Sequence, residues 1–263
     1  MATTQSPPLQ QTPALRKIEI SDLIDILGAG LRDFRAAPGY GLALAGLYVV
    51  AGWLIIALLY YFGLPYLAYP LAMGFALIAP FAGVGFYAVS EHLERGRPLR
   101  WATVFASVKK AASRDVRWMA LVTGFALVIW MHIAAFLFFG LMGFNGFGPD
   151  FVEKLLTTPE GLAFVFLGNA SGALIALAIF SISVISFPML YDRDIDFVTA
   201  MVTSVRLVQE NPVSMVVWCA IIGILTGLSL LSVFVGLLVV LPVIGHASWH
   251  LYRRAVPPPM NEA

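Results

Sequence analysis

Charged residues are scarce in this sequence. Lys, Arg, Asp and Glu make up 12% of the 263 residues, whereas hydrophobic residues make up 60%. A soluble domain carries about 25% charged residues. So many apolar side chains would leave too few polar groups to cover a water-soluble globule of this size. The shortage of charge therefore excludes an ordinary soluble domain and indicates a protein embedded in lipid.

Cysteine and excess basic charge are also nearly absent. The one cysteine, Cys219, lies in an apolar run, so the chain cannot form an intrachain disulfide or attach a haem through a CxxCH motif. The formal net charge is +1, which argues against a nucleic-acid partner, because such binders carry a basic face and a high isoelectric point.

The chain ends lack targeting signals. The N-terminus has no basic segment followed by an apolar core, as a cleaved secretory signal requires. We interpret residues 1–17 as a disordered tail and residues 257–263 as a second short tail, neither with a lipidation motif. Residues 18–256 are then expected to form a single integral membrane domain.

Long apolar stretches dominate the rest of the sequence. A bilayer core about 30 Å thick needs about 20 apolar residues in a helix. Short turns make neighbouring helices antiparallel hairpins, and a short extra helix is predicted at 150–157. The predicted fold is thus an all-α, polytopic membrane helical bundle with six transmembrane helices, at about 40–62, 66–90, 118–142, 161–190, 213–231 and 233–252.

The distribution of charge orients these spans. Among the 16 Lys and Arg residues, only Lys154 falls on one side of the predicted membrane, and the other fifteen fall on the opposite side. Cationic residues accumulate on the cytoplasmic side of membrane proteins. Both termini are therefore predicted to be cytoplasmic.

The cytoplasmic segments also contain short helical patterns. Apolar residues recur at helical spacing in 20–34, 99–112 and 195–209. Ser21 or Asp22 is the expected N-cap of the first segment, and Asp194 or Asp196 that of the third. Helices of this kind lie in the membrane interface with the apolar face toward lipid. We therefore predict three cytoplasmic interfacial amphipathic helices, the first and third ended by Pro38 and Pro212.

A threefold pattern connects these elements. Each interfacial segment leads into a pair of spans whose second member contains a proline: Pro80, Pro188 or Pro242. Such a proline kinks a helix because it removes a backbone hydrogen bond. One interpretation is three repeated units of an interfacial helix and a hairpin. The alternative is that the three segments share only the general features of membrane helices.

One histidine lies deep in a predicted span. His132 falls about midway along the third span, where a titratable side chain is costly and usually faces the bundle interior. It is the candidate cofactor-binding residue, for a haem, a metal or a proton relay. The alternative is a neutral, structural histidine that bonds to a serine or a carbonyl. No cofactor is predicted on this residue alone.

Three other histidines are candidate metal ligands. His246 and His250 share a helix face at a spacing that allows one metal ion to bind both. Zinc or iron needs further ligands, and His92 could supply one if the first and third hairpins adjoin. The alternative is anchoring, in which Trp249 and Tyr252 form an interfacial aromatic belt before Arg253 and Arg254.

Other chemical motifs are incomplete or absent. The acidic stretch YDRDID at 191–196 lacks the glycine of a calcium loop, so helix capping and ion pairing are the expected roles. The sequence has no P-loop, no dinucleotide-binding glycine pattern and no nucleophile elbow. No catalytic residue can be named, and an enzymatic activity has no positive support.

Two stretches resemble a known family. SFPMLYDRDIDFVTAMVTSVRLVQENP and LLVVLPVIGHASWHLYRRAV are similar to a proteobacterial family of predicted integral membrane proteins, catalogued as a domain of unknown function. The resemblance covers roughly residues 15–256 and is strongest in the last third. Some members carry the label of cytochrome c oxidase subunits. It implies a bacterial inner-membrane protein and leaves the activity open.

Two functions are compatible with these observations. The first is a non-catalytic accessory or scaffold subunit, with a respiratory complex as one such larger membrane assembly; an oxidase catalytic subunit would need more deep histidines than His132. The second is a small transporter or carrier. Sparse charge within the spans argues against ion coupling, so its substrate would be apolar or lipid-like.

Overall fold

The chain folds almost entirely into helices. The computed structural model describes residues 13–64, 67–112, 116–143 and 148–257, apart from the side chains of 69, 73–82 and 110–112. Its helices are α1 (Ile20–Ala36), α2 (Pro38–Tyr61), α3 (Ala68–Glu94), α4 (Trp101–Ala112), α5 (Val116–Leu137, extended by a π-helical turn Phe138–Met142), α6 (Phe151–Thr157), α7 (Pro159–Ser183), α8 (Ser186–Asp192), α9 (Phe197–Glu210), α10 (Pro212–Leu231) and α11 (Leu237–Ala255). The predicted all-α class is confirmed, as is the short helix near 150–157. Residues 1–12 and 258–263 of the predicted tails lie outside the described residues.

Four of the helical stretches are long and apolar enough to cross a membrane. They are Pro38–Tyr61, Val116–Met142, Pro159–Asp192 and Pro212–Leu231. The remaining two predicted spans correspond to α3 and α11. Part of α3 carries undescribed side chains, and the second half of α11 contains two histidines and two arginines, which lower its hydropathy. The described residues thus support four of the six predicted spans.

Prolines separate two of the three short amphipathic helices, α1 and α9, from the spans that follow. Pro38 begins α2 and Pro212 begins α10, each one residue after a helix break. Proline suits the first helical turn because its missing N–H would lack an intrahelical partner there. The break residues share one backbone geometry, φ −137° and ψ 55° at Ala37 and φ −133° and ψ 52° at Asn211. The predicted ends of both helices are confirmed.

Side chains cap two of the short helices. The N–H of Thr199 donates to Oδ1 of Asp196 at 2.8 Å, which confirms Asp196 as the cap of α9. The cap of α1 differs from the prediction of Ser21 or Asp22. This helix begins at Ile20 with Glu19 as its N-cap, and Asp22 accepts the N–H of Glu19 at 2.8 Å. The reason is a reciprocal capping arrangement, in which the third helical residue bonds back to the cap.

The three predicted kinks behave differently. Near Pro188 the helix is broken, since α7 ends at Ser183 and α8 begins at Ser186. Pro242 instead lies inside the continuous helix α11. Helix α3 continues through position 80, but the side chain of Pro80 lies outside the described residues.

Helix α1 packs along α11 rather than standing apart from the bundle. Leu23 and Ile26 of α1 are buried in the core. A Cβ on Gly30 would lie 2.5 Å from the carbonyl oxygen of Val243 and 2.9 Å from Cβ of Ala247. Only glycine permits so close an approach of two helices. One face of α1 therefore contacts protein, although the sequence predicts a helix with its whole apolar face toward lipid.

The extended residues before α1 are tied to two other helices. The N–H of Arg16 donates to the carbonyl of Ala255 at 2.8 Å. Ile18 is buried; its N–H donates to Oδ1 of Asn211 at 2.7 Å, and its carbonyl accepts the hydroxyl of Ser214 at 2.7 Å. These bonds join the beginning of the described chain to the α9–α10 break and to the end of α11.

A strained turn connects α10 to α11. Val233 and Phe234 both have positive φ, 54° and 67°, a region that costs a non-glycine residue about 1–2 kcal/mol. The turn is held by the Trp53 indole, which donates to the carbonyl of Val233 at 2.8 Å. Phe234 is buried beside Val49 and Leu237.

We expect Val233→Gly to raise the free energy of unfolding by about 1 kcal/mol, because glycine adopts positive φ without strain. Val233 is 65% exposed, so little packing is lost, and its carbonyl still accepts the Trp53 hydrogen bond. Thermal unfolding in detergent measures the change. Val235→Gly is the control, because Val235 is similarly exposed but has no positive φ. A lower melting temperature for both variants would contradict the expectation.

Candidate functional site

Polar side chains gather where α1, α3, α8 and α11 meet at one end of the bundle. Two connected groups can be distinguished. We call the first the histidine network; it consists of Asp33, Ser90, His246 and His250. We call the second the acidic network; it consists of Glu91, Glu94 and Asp192 with the Tyr, Trp and Arg side chains bonded to them.

The histidine network joins three helices through one carboxylate oxygen. Oδ2 of Asp33 accepts the hydroxyl of Ser90 at 2.7 Å and lies 2.8 Å from Nε2 of His250. Oγ of Ser90 also lies 2.8 Å from Nδ1 of His246. Because the Ser90 hydrogen is donated to Asp33, Nδ1 of His246 must be the donor to Ser90. The result is a continuous chain of hydrogen bonds from buried His246 to partly exposed His250.

The surroundings of Asp33 favour its ionised form. Partial burial raises the pKa of its carboxyl group, but the hydrogen bonds from His250 and Ser90 and the nearby imidazole charge outweigh that effect and hold the pKa below its usual value. Asp33 therefore acts as the anionic centre between two histidines. Its bond with His250 is charge-assisted because the acceptor is an ionised carboxylate.

In the acidic network, two carboxylates hold the end of α11. The indole N–H of Trp249 donates to Glu94 at 2.9 Å, and Arg253 forms an ion pair with Glu94 at 2.9 Å. The hydroxyl of Tyr252 donates to Asp192 at 2.6 Å. The ends of α3 and α11 therefore adjoin, which is the condition under which His92 could approach His246 and His250. Asp192 of YDRDID also lies 3.8 Å from a guanidinium nitrogen of Arg253, which confirms the expected ion pairing of that stretch.

Glu91 connects the same network to α8. It accepts the hydroxyl of Tyr191 and forms an ion pair with Arg95 at 2.9 Å. Arg95 also lies 3.8 Å from Asp192. Every carboxylate of the acidic network therefore faces a donor from another helix or from the next turn.

The aromatic residues of this region are buried rather than interfacial. Trp249 is 1% exposed and Tyr252 is fully buried. Their rings pack in a cluster with Tyr87 and Tyr191, with ring centroids 5.7–6.5 Å apart. The predicted aromatic belt of Trp249 and Tyr252 is therefore wrong, because α1, α3 and α8 cover this end of α11 and turn both rings toward protein.

The candidate metal ligands do not converge on one point. Nδ1 of His92 bonds to the carbonyl of Ala88 at 2.7 Å, within its own helix. Nδ1 of His246 bonds to Ser90, and Nε2 of His250 bonds to Asp33. Among the described residues, no three His, Cys, Asp or Glu side chains form a group that could hold a metal ion. What His246 and His250 share is a path of hydrogen bonds through Ser90 and Asp33.

His132 lies on the outer face of α5, not in the bundle interior. Its side chain is exposed, and Nδ1 bonds to the carbonyl of Val128 at 2.7 Å. Its exposed neighbours on this face are apolar, among them Phe125 and Phe136. A haem or metal bound to His132 would therefore lie on the outer surface of the chain and not inside the bundle. The alternative of a structural histidine predicts a bond from His132 to a serine or to a carbonyl. The bond to the carbonyl of Val128 agrees with that alternative.

Two residues at the centre of the site were not anticipated from the sequence. Asp33 and Ser90 stand in LRDFR and AVSEHLE, where neither has a recognisable motif. Asp33 falls within a predicted amphipathic helix, and Ser90 falls at the end of a predicted span. Their pairing across 57 residues depends on how α1 docks, which no local pattern reveals.

Comparison with known proteins gives one result. The family model described as predicted integral membrane protein (DUF2189) matches residues 68–192. The matched segment is similar to that membrane family and covers slightly less than half of the chain. The resemblance to a domain-of-unknown-function membrane family is thereby confirmed. No curated protein and no solved structure gives a significant match.

The DUF2189 segment contains only half of the candidate site. It runs from α3 to α8 and therefore supplies Ser90, Glu91, Glu94 and Asp192. The partners on α1 and α11, including Asp33 and both C-terminal histidines, lie outside it. Most of the C-terminal stretch that carries the resemblance in the sequence also lies beyond residue 192. The site is thus built between the matched segment and the two helices that flank it.

Asp33→Ala is expected to destabilise the protein by about 1–3 kcal/mol, because Ser90 and His250 then lose their shared acceptor in a partly buried site. Thermal unfolding in detergent measures the loss. Asp25→Ala is the matched control, since Asp25 is an exposed carboxylate on the same helix, and its effect should stay within about 0.5 kcal/mol. Equal effects of the two substitutions would refute a special role for Asp33.

The same contact has a pH signature. The pKa of Asp33 is lowered by folding. The stabilisation of the fold by its ionised carboxylate is therefore complete above the unfolded pKa of about 3.9, and it is lost as the pH falls through the folded pKa.

Proposed function

We propose that the protein is a multi-pass protein of the bacterial inner membrane with six spans, α3 and α11 included, and with both termini in the cytoplasm. Two observations support this topology. Four stretches meet the length and hydropathy of a span. Fifteen of the 16 cationic residues fall on one side if α3 and α11 also cross.

The short helices support the interfacial part of this proposal. Each of the three presents an exposed pair of apolar residues one turn apart, in addition to its buried face. The exposed fractions range from 39% to 72%, for Ile20 and Ile24 on α1, Trp101 and Phe105 on α4, and Val198 and Val202 on α9. Apolar side chains in such positions suit the boundary between headgroups and acyl chains.

The repeated-unit interpretation remains part of this proposal. Its support is the common geometry of the α1–α2 and α9–α10 breaks, each with a proline at the first residue of the next helix. The breaks at Ala37 and Asn211 agree within about 5° in both backbone angles.

Within this topology we assign the chain a non-catalytic role as an accessory or scaffold subunit, with a respiratory complex as one such assembly. The observation that carries this assignment is the pairing of the polar groups at the candidate site. Asp33, Glu94 and Asp192 each bond to side chains of other helices and hold those helices together. Polar groups that join helices to one another in this way support a structural role, as expected of a scaffold subunit.

The carrier hypothesis has weaker support. One apolar cavity lies between α2, α3 and the α10–α11 turn, lined by Gly52, Leu71 and Phe234 among others. Its volume is about 10 Å³, which is room for about one water molecule. An apolar or lipid-like substrate would require this cavity to widen considerably.

Cysteine accessibility tests the topology. In a Cys219→Ala background, Leu64→Cys is expected to react with a membrane-impermeant maleimide added outside spheroplasts, because the turn after α2 is then periplasmic. Arg100→Cys is the matched position in the turn after α3 and should react only after the membrane is opened. Reaction of both positions under the same condition would overturn the six-span arrangement.

Gentle extraction tests the assigned role. A tagged, full-length chain in mild detergent is expected to migrate with a larger membrane assembly of fixed composition, and a visible spectrum of that assembly would show haem if it is respiratory. A tagged membrane protein of similar size and expression level is the control for nonspecific association. Recovery of the chain alone, without a chromophore, would refute the accessory assignment.

A further inference from the structure

Helix α4 and the loop before it differ in charge from the other short helices. Residues 95–112 contain five Lys and Arg and no Asp or Glu. By contrast, α1 carries three acidic and two basic residues, and α9 carries one of each. The three helices share an amphipathic pattern, but only in the α4 segment are all the charged residues cationic.

The cations of this segment are available for an external partner. Arg97, Arg100 and Lys109 are exposed and form no ion pair with a described residue. Arg95 is different, because it is paired with Glu91 and Asp192. The segment therefore offers three cationic side chains that no described acidic residue neutralises.

An aromatic row stands beside these cations. The ring of Tyr40 at the start of α2 lies 4.3 Å from that of Trp101, and Trp101 lies 5.7 Å from Phe105. Trp101 is 39% exposed and Phe105 is 59% exposed. Tyr40 belongs to the first turn of a stretch long and apolar enough to cross a membrane, so in the proposed topology this row lies where that stretch enters the lipid.

We propose that α4 and its preceding loop bind the headgroups of anionic phospholipids in the cytoplasmic leaflet. The exposed rings of Trp101 and Phe105 hold the helix at the interface, while Arg97, Arg100 and Lys109 contact lipid phosphates. Clustered cations on an amphipathic helix next to a span have the chemistry that anionic lipid surfaces attract. The inference rests on the proposed topology for the choice of leaflet, but not on the accessory role.

The arrangement fits a lipid surface better than a soluble polyanion. Exposed aromatic and cationic side chains lie within the same short segment, from Arg97 to Lys109, so one element meets an apolar and an anionic phase. A nucleic acid would require a broader basic face, and the net charge of the whole chain is only +1.

Lipid-specific quenching of Trp101 tests the proposal. The full chain is placed in nanodiscs of phosphatidylcholine and phosphatidylglycerol in which one lipid or the other is brominated. The Trp101 signal is taken as the difference between the wild type and Trp101→Phe. We expect quenching by the brominated anionic lipid to exceed quenching by the zwitterionic lipid by roughly twofold or more, and the excess to shrink at high salt.

Charge variants complete the test. Arg97→Gln/Arg100→Gln/Lys109→Gln should bring the ratio of the two quenching efficiencies close to one. The matched control, Lys17→Gln/Arg32→Gln/Arg206→Gln, removes three charges from the other cytoplasmic segments and should leave the ratio unchanged. Equal quenching in the wild type, an unchanged ratio in the α4 variant or an equal loss in the control would each overturn the proposal.

Two features keep this result independent of other failures. Both leaflets of a nanodisc have the same composition, so a wrong topology would alter the maleimide labelling but not the lipid preference. If the α4 variant fails to fold, the salt dependence of the wild-type ratio decides: a ratio that does not change with salt overturns the proposal, because exposed charges are screened.

Discussion

The arrangement of the bundle depends on the contact between α1 and α11. Both helices carry polar side chains into a buried or partly buried region, where such groups are stabilised by bonding to each other. Asp33 provides the common acceptor, bonded to Ser90 of α3 and to His250 of α11. Gly30 allows the two helices to approach closely enough for these bonds to form. Once α1 is docked, α11 has a protein neighbour along its polar half.

This contact explains how a helix with two histidines and two arginines packs within an apolar helical bundle. The first half of α11 packs against α2, where Phe234 and Leu237 meet Val49. Its second half is covered by α1, α3 and α8, so Trp249 and Tyr252 become core residues. The DUF2189 segment supplies the α3 and α8 side of this site, and the flanking helices supply the rest.

Local features of the fold could be predicted from the sequence, whereas the docking of α1 could not. Helical spans, proline breaks and the Asp196 cap follow from length, periodicity and short-range bonding, and the sequence contains all three signals. The partnership of Asp33 with His250 joins residues 217 positions apart. Amphipathic spacing shows that α1 has an apolar face, but it does not tell lipid from protein as the phase that covers this face. For the same reason the sequence wrongly predicts that Trp249 and Tyr252 lie in the membrane interface.

Hydrogen–deuterium exchange along α1 tests the central claim most directly. If α1 is docked on α11 through Asp33, the amides of its second half, around Gly30, should exchange as slowly as those of α11, in nanodiscs and in detergent alike. A helix that is held only by the membrane interface would lose its protection when lipid is replaced by detergent. Rapid exchange throughout α1 in detergent, while α11 stays protected, would contradict the account.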